Sequence, residues 1–206
     1  ALTAVGVTVP LLLIMVSIEN IFAAGAAVLA GRQLGAKDEE GASRTVTTII
    51  GLSVVIGAVL CVGGIAFIEP LMRVFGASDA SLPLAKDYAF WMFVAALANL
   101  PAQSMNCAAR AESSVKISSI AVITGALLNV VLDPVFMFDW GLGMGVEGAS
   151  LATTISQFVT FFILAWFYLS GGSVIKLRLR SFHPSWKLIK TVTVIGIPTA
   201  VIQICL

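Results

Sequence analysis

An amide and a carboxylate stand four residues apart in Asn129-Val130-Val131-Leu132-Asp133, within a stretch, 117–138, whose only charged residue is Asp133. On a helix that spacing puts both on one face. A carboxylate at bilayer depth costs about 2.5–3.5 kcal/mol on insertion scales, so it demands an ion, a proton or a polar partner. The next apolar stretch, 148–175, carries Thr153 and Gln157 at the same spacing. Asp133 lies six residues before Asp139, and Thr153 six residues past Glu147. At about 1.5 Å rise per residue both sit about 9 Å below the same boundary. Gln157 then matches the depth of Asn129. Antiparallel packing sets Asp133 opposite Thr153 and Asn129 opposite Gln157. A carboxylate, amide carbonyls and a hydroxyl are hard oxygen donors suited to a small cation, and a desolvated carboxyl can equally carry a proton. The plainer alternative is that Asn129, Thr153 and Gln157 only hydrogen-bond between helices, at about 0.6–2 kcal/mol per bond. It leaves Asp133 unexplained.

One other acid lies deep in an apolar run. Glu19, with Asn20 beside it, interrupts residues 1–31. It reads either as an acid facing a cavity, for a proton or a substrate, or as the partner of a further helix. In the stretch 88–109, Asn99, Gln103 and Asn106 are the polar candidates. Asn106 counts closest to Arg110, and so deeper than the others.

The elements that must hold these residues follow from composition. The chain has 206 residues, 59% hydrophobic and 11% charged, with mean hydropathy +1.02. Soluble domains are roughly 45–50% apolar and about 25% charged, so a soluble globular protein is excluded. A net charge of +1 offers no basic excess for nucleic acid. A helix needs about 20 apolar residues to cross a hydrocarbon core about 30 Å thick. Residues 1–31, 45–68, 88–109, 117–138 and 148–175 meet that length, and a sixth run begins near Thr191. None alternates with the period of two that barrel strands show. The expectation is an all-α membrane protein, a bundle of five full transmembrane helices plus the start of a sixth. The opening run lacks the basic n-region and short apolar core of a signal peptide, and the absence of an initiator Met reads as a piece of a longer protein.

Ten of the twelve basic residues fall in alternate connectors: Arg32, Lys37 and Arg44, then Arg110 and Lys116, then Lys176, Arg178, Arg180, Lys187 and Lys190. The positive-inside rule puts these in the cytoplasm, and the expected location is a plasma membrane, a bacterial inner membrane. The outer connectors hold Glu69, Asp79, Asp87, Asp139 and Glu147, and Trp140 reads as an interfacial anchor. Gly35–Arg44, Ser78-Asp79 with Pro83, and Gly141–Gly145 read as turns. His183, alone before Pro184, reads as solvated rather than as a ligand. Cys61, Cys107 and Cys205, odd in number and without CxxC spacing, read as core residues, with no structural metal site. Gly25, Ala26, Ala27, Ala30 and Gly31, and Gly57, Gly63 and Gly64, read as points of close helix approach. Phe90, Trp91, Phe93, Phe158, Phe161, Phe162, Trp166 and Phe167 read as packing or lipid-facing residues.

Gly31-Arg32-Gln33-Leu34-Gly35-Ala36-Lys37-Asp38, Arg110-Ala111-Glu112, Asn129 through Pro134, and Gly148-Ala149-Ser150-Leu151-Ala152-Thr153 occur in this order in a known family. The chain resembles the multidrug and toxin extrusion (MATE) transporters over its whole length, with Gly196-Ile197-Pro198 similar to the start of each lobe. The resemblance implies helices 2–7 of a twelve-helix, two-lobe transporter. Residues 1–170 are then the N-terminal lobe without its first helix, which often supplies an acid to the cation site. Residues 171–190 become a cytoplasmic linker and 191–206 the start of the C-terminal lobe. The implied activity is antiport, exporting organic and often cationic amphipathic compounds in exchange for Na⁺ or H⁺. It needs no cofactor beyond the coupling ion, and its partners are a small organic substrate and the lipid bilayer, with a monomer as the working unit. Asn129, Asp133 and Thr153 fall at the family's first-lobe cation site, with Asn106 as a further match and Asn99 or Gln103 as alternatives to it. Gln157 joins them by depth alone. The family often has Gly where Ser113 stands, which predicts a looser turn here.

Two rival functions remain. A flippase for lipid-linked saccharides would call for a cationic cavity, yet the spans contain no Arg or Lys. An intramembrane enzyme, such as a prenyl transferase or protease, would call for paired acids, a His/Glu metal set or a Ser/His pair. The spans hold one Asp, one Glu and no His.

Overall fold

The computed structural model describes residues 2–138, 141–177 and 185–205, with side chains described between 5 and 202. Asp139, Trp140, Arg178, Arg180, His183 and the side chain of Cys205 lie outside the described residues. Among the described residues seven helices follow in order: α1 (Leu2–Gly35), α2 (Glu39–Ala66), α3 (Ile68–Val74), α4 (Leu82–Ala111), α5 (Val115–Met137), α6 (Val146–Leu169) and α7 (Trp186–Cys205). Six of them stand where the apolar runs set them. The seven-residue α3 was not expected, because Glu69, Pro70 and Arg73 break the apolar pattern there. α7 begins at Trp186, so it takes in Lys187 and Lys190 from the basic connector.

Local chemistry sets the boundaries. Asp38 caps α2 by accepting from the Gly41 backbone N–H at 2.8 Å, and Glu39 and Glu40 in the first turn complement the helix dipole. Pro83 opens α4, where a missing N–H costs nothing. The turn from α4 to α5 is tight rather than loose. The backbone N–H groups of Ser113 and Ser114 reach the carbonyls of Arg110 and Ala109 at 3.1 and 2.8 Å, and Ser113 adopts φ +66° to make this possible. Glycine would be unstrained there. At the opposite end of the bundle, Gly143 and Gly145 supply the positive φ of the turn into α6. There Lys86 and Arg73 together hold the exposed Glu69 carboxyl below the usual carboxylate range.

α4 is the hub, packed along α1, α2 and α6, while α5 packs along α6 and α7 along α1. α4 and α5 are consecutive yet touch little, which leaves a gap between them. Among the described residues four helices, α1, α2, α5 and α6, are both long and apolar enough to cross a membrane. α4 is longer than three of these but spends Asn99, Gln103, Ser104 and Asn106 on polar positions facing its neighbours. Three apolar clusters of described residues close the bundle, the smallest of them Ala26, Ile49 and Val192 between α1, α2 and α7. Ala30, Ala42, Val46, Met105, Ala108 and Leu164 gather at the basic end, and Met15, Met72, Ala85, Phe93 and Leu100 toward the other. Val59 and Val62 on α2, Leu127 and Val131 on α5, and Phe162 and Trp166 on α6 stay exposed, as lipid-facing residues must.

Glycines carry three of the close crossings. A Cβ on Gly57 would lie 2.8 Å from the Ala96 carbonyl oxygen, and one on Gly64 would enter the Phe93 ring. Gly25 and Gly196 are reciprocal, each lying against the other helix's backbone, at Val192 and Ile21. Gly31 and Gly63 meet nothing within 4 Å, so neither marks a crossing. After α6 the chain folds back across the basic end. Glu112 Oε2 accepts from Ser173 Oγ at 2.6 Å and from the Ile175 N–H at 3.1 Å, and Ile175 is fully buried.

Candidate functional site

A cavity of about 300 Å³ fills the gap between α4, α5 and α6. Asn99, Gln103 and Asn106 reach it from α4, Asn129 from α5, and Thr153 and Gln157 from α6. Two helix-borne features shape it. Pro101 and Pro134 each remove a backbone N–H within their helices, which frees a carbonyl one turn back and favours a bend. Gly125 lets α5 approach the Thr160 hydroxyl and the Ser156 carbonyl of α6 below the gap.

Asn129 organises the mouth of this cavity. Its Nδ2 donates to Asp133 Oδ1 at 3.1 Å and to Thr153 Oγ1 at 3.3 Å. The Thr153 hydroxyl in turn donates to the Ala149 carbonyl at 3.0 Å. The register differs from simple depth counting, since the inter-helix bond joins Thr153 to Asn129 and not to Asp133. Asp133 is half-buried one turn outward of the cavity wall, tied to it through Asn129. Tyr88 of α4 lies within range of its charge, a neighbour no spacing pattern in the sequence indicates. Among the described residues the four ion pairs are Arg44–Glu40, Arg73–Glu69, Arg73–Asp79 and Lys86–Glu69, so no Lys or Arg clasps Asp133.

Asn106 takes a different part. It is buried at the inner end of the cavity, where Ser118 Oγ donates to its Oδ1 and its Nδ2 donates to Gln103 Oε1 at 3.4 Å. Ser118 was not singled out from the sequence, since its link to Asn106 spans a helix turn and twelve residues. Glu19 does not join the Asp133 group. It is buried at 7% exposure, accepts from Asn99 Nδ2 at 2.6 Å, and faces a second cavity of about 220 Å³ between α1, α4 and α6. Asn99, Thr153 and Gln157 line both cavities. Outside them, Trp91 Nε1 donates to Glu147 Oε1 at 3.1 Å, and Thr154 Oγ1 donates to the Trp91 carbonyl at 2.8 Å, clamping α4 to α6.

No three of His, Cys, Asp and Glu converge among the described residues. The donor set around Asp133 is thus one carboxylate with neutral oxygens, which matches a monovalent cation or a proton better than a divalent ion.

The MatE family model matches residues 1–135. The chain belongs to this family. Its members are membrane transporters and not enzymes. The multidrug export protein MepA of Staphylococcus aureus is 26% identical over 203 residues, covering 98% of this chain and 45% of that protein. MepA of Staphylococcus haemolyticus is 26% identical over 199 residues, covering 96% of this chain and 43% of that protein. Two solved conformations of a multidrug resistance MATE family transporter also match. The outward-facing one gives TM-score 0.91 at 29% identity over 98% of this chain and 45% of that one. The inward-facing one gives 0.88 at 29% identity over 97% of this chain and 45% of that one. The MatE chain therefore spans about 45% of the length of these relatives.

Proposed function

We propose that this MatE chain forms the ion-coupling part of an antiporter that exports organic, often cationic amphipathic, compounds in exchange for Na⁺ or H⁺. The observation that carries the proposal is Asp133, a half-buried acid held by Asn129 at the mouth of a polar cavity and paired with no cation among the described residues. With Nδ2 on its oxygen, Asn129 stabilises the ionised acid. A cation at Asp133 takes the Asn129 carbonyl and the Thr153 hydroxyl as further ligands and displaces that N–H. A proton instead removes the charge, and with it most of the strength of the Asn129 bond. Either event neutralises a buried charge, and it shifts the transport equilibrium by its differential affinity for the two states.

Residues 1–170 serve as one lobe, 171–190 as the inter-lobe connector and 191–206 as the start of the second. The basic end faces the cytoplasm of a bacterial plasma membrane. The similarity to the MepA multidrug export proteins supports multidrug export. Similar agreement with outward- and inward-facing relatives supports a lobe that moves as a body between the two states.

The test is ion-driven drug efflux by the full-length protein in proteoliposomes. Asp133→Asn is expected to abolish efflux while protein remains in the membrane. Undiminished efflux removes the proposed role.

A further inference from the structure

Glu19 has a different setting from Asp133. It stands on α1, nearly buried, with the Asn99 amide 2.6 Å away, and none of the ion pairs among the described residues involves it. The cavity beside it is walled mainly by Leu12, Met15 and Val16 of α1 and Met92, Ala95 and Ala96 of α4. The hydroxyls on the far wall donate their protons to backbone carbonyls of their own helix. Ser150 donates to the Glu147 carbonyl at 2.9 Å, and Thr153 to that of Ala149.

This combination favours an apolar-bodied cation over a small hydrated ion. A small ion finds the Glu19 carboxylate and the neutral oxygens of Asn99, Ser150, Thr153 and Gln157 there, but it gains nothing from the apolar side chains that make up most of the wall. A large organic cation loses little hydration. It can lay an apolar body on the Leu, Val and Met side chains, which adapt to varied shapes, while its charge meets Glu19.

We propose that Glu19, positioned by Asn99, is the binding site for the positive centre of an organic cation, distinct from the ion site at Asp133. The proposal rests on the transport reading and divides its two charges between two acids. The two cavities share Asn99, Thr153 and Gln157, so an occupant of one touches the wall of the other. Ion and substrate are thereby coupled through three neutral side chains and not through a shared carboxylate.

The test uses the full-length protein in detergent, with tetraphenylphosphonium as the cationic probe and triphenylphosphine oxide as its neutral counterpart. Glu19→Gln should weaken tetraphenylphosphonium binding by about thirtyfold or more, the scale of losing one partner of a buried charge pair. It should leave the neutral probe and labelled-ion binding unchanged. Asp133→Asn should do the reverse, losing ion binding and keeping the cationic probe. Equal tetraphenylphosphonium affinity in wild type and Glu19→Gln overturns the proposal and leaves the role of Asp133 standing. Loss of the Asp133 phenotype alone defeats the ion-coupling reading instead. The unmutated protein supplies a second measurement. Tetraphenylphosphonium, and not the neutral probe, should protect Glu19 from modification by dicyclohexylcarbodiimide, read by mass spectrometry. Modification of Glu19 at the same rate with and without the cation contradicts the assignment.

Discussion

Asn129 and Asp133 lie one helical turn apart on α5 and are joined by a 3.1 Å hydrogen bond from the amide to the carboxylate. The bond makes Asn129 the link between the acid and α6, because the same amide reaches Thr153. Hydrogen bonds to charged groups contribute about 1.5–3 kcal/mol. That bond stabilises the empty, ionised acid, so for a coupling proton Asn129→Ala should raise the apparent affinity by roughly tenfold to a hundredfold, whereas for Na⁺, which takes the Asn129 carbonyl as a ligand, it should lower it. Concentration dependence of ion-driven efflux measures it. An unchanged half-saturating ion concentration would separate Asn129 from the site.

Ser113 completes the α4–α5 turn at φ +66°, a conformation that costs a residue with a Cβ about 1–2 kcal/mol. Ser113→Gly relieves this but adds freedom to the unfolded chain, an opposing effect of about 0.4–1 kcal/mol. The net expectation is a gain of between zero and about 1.6 kcal/mol, seen as a higher melting temperature in detergent. A lower melting temperature would show that the serine makes a contact worth more than the strain.

The α1–α7 crossing depends on two glycines set into each other's helix. A Cβ on Gly25 would lie 2.9 Å from the Val192 carbonyl carbon, with backbone as the obstacle. Overpacking of this kind costs about 1–3 kcal/mol, so Gly25→Ala should destabilise the protein by that amount. Gly63→Ala, in open space on α2, should instead be neutral or stabilise by up to about 1 kcal/mol through helix propensity. Thermal unfolding of the two variants checks the contrast. Equal effects would mean that α1 and α7 do not cross at these glycines.

The helices were legible because charge and apolar length are local signals. Glu19 and Asp133 stand out as lone acids, and basic residues bracket the runs. The pairings within the site were only partly legible. Asn129 and Asp133 follow from spacing on one helix, whereas depth set Thr153 opposite Asp133 and not opposite Asn129, to which it is bonded. The Glu19–Asn99 bond joins residues eighty positions apart, and helix spacing says nothing about which helices pack side by side. Nor could periodicity show that α4 and α5, neighbours in the chain, splay apart to leave the cavity. Ser113 was misleading for a physical reason. The hydrogen bonds to Arg110 and Ala109 hold the turn tight despite its side chain.

The central claim is that one acid, Asp133, takes up the coupling ion. Equilibrium binding of labelled Na⁺ to the full-length protein, with proton uptake and release followed in parallel, tests it most directly. The account predicts that the wild type binds Na⁺ or exchanges a proton, and that Asp133→Asn loses whichever of the two the wild type shows. Wild-type ion stoichiometry in the Asp133→Asn protein would contradict it.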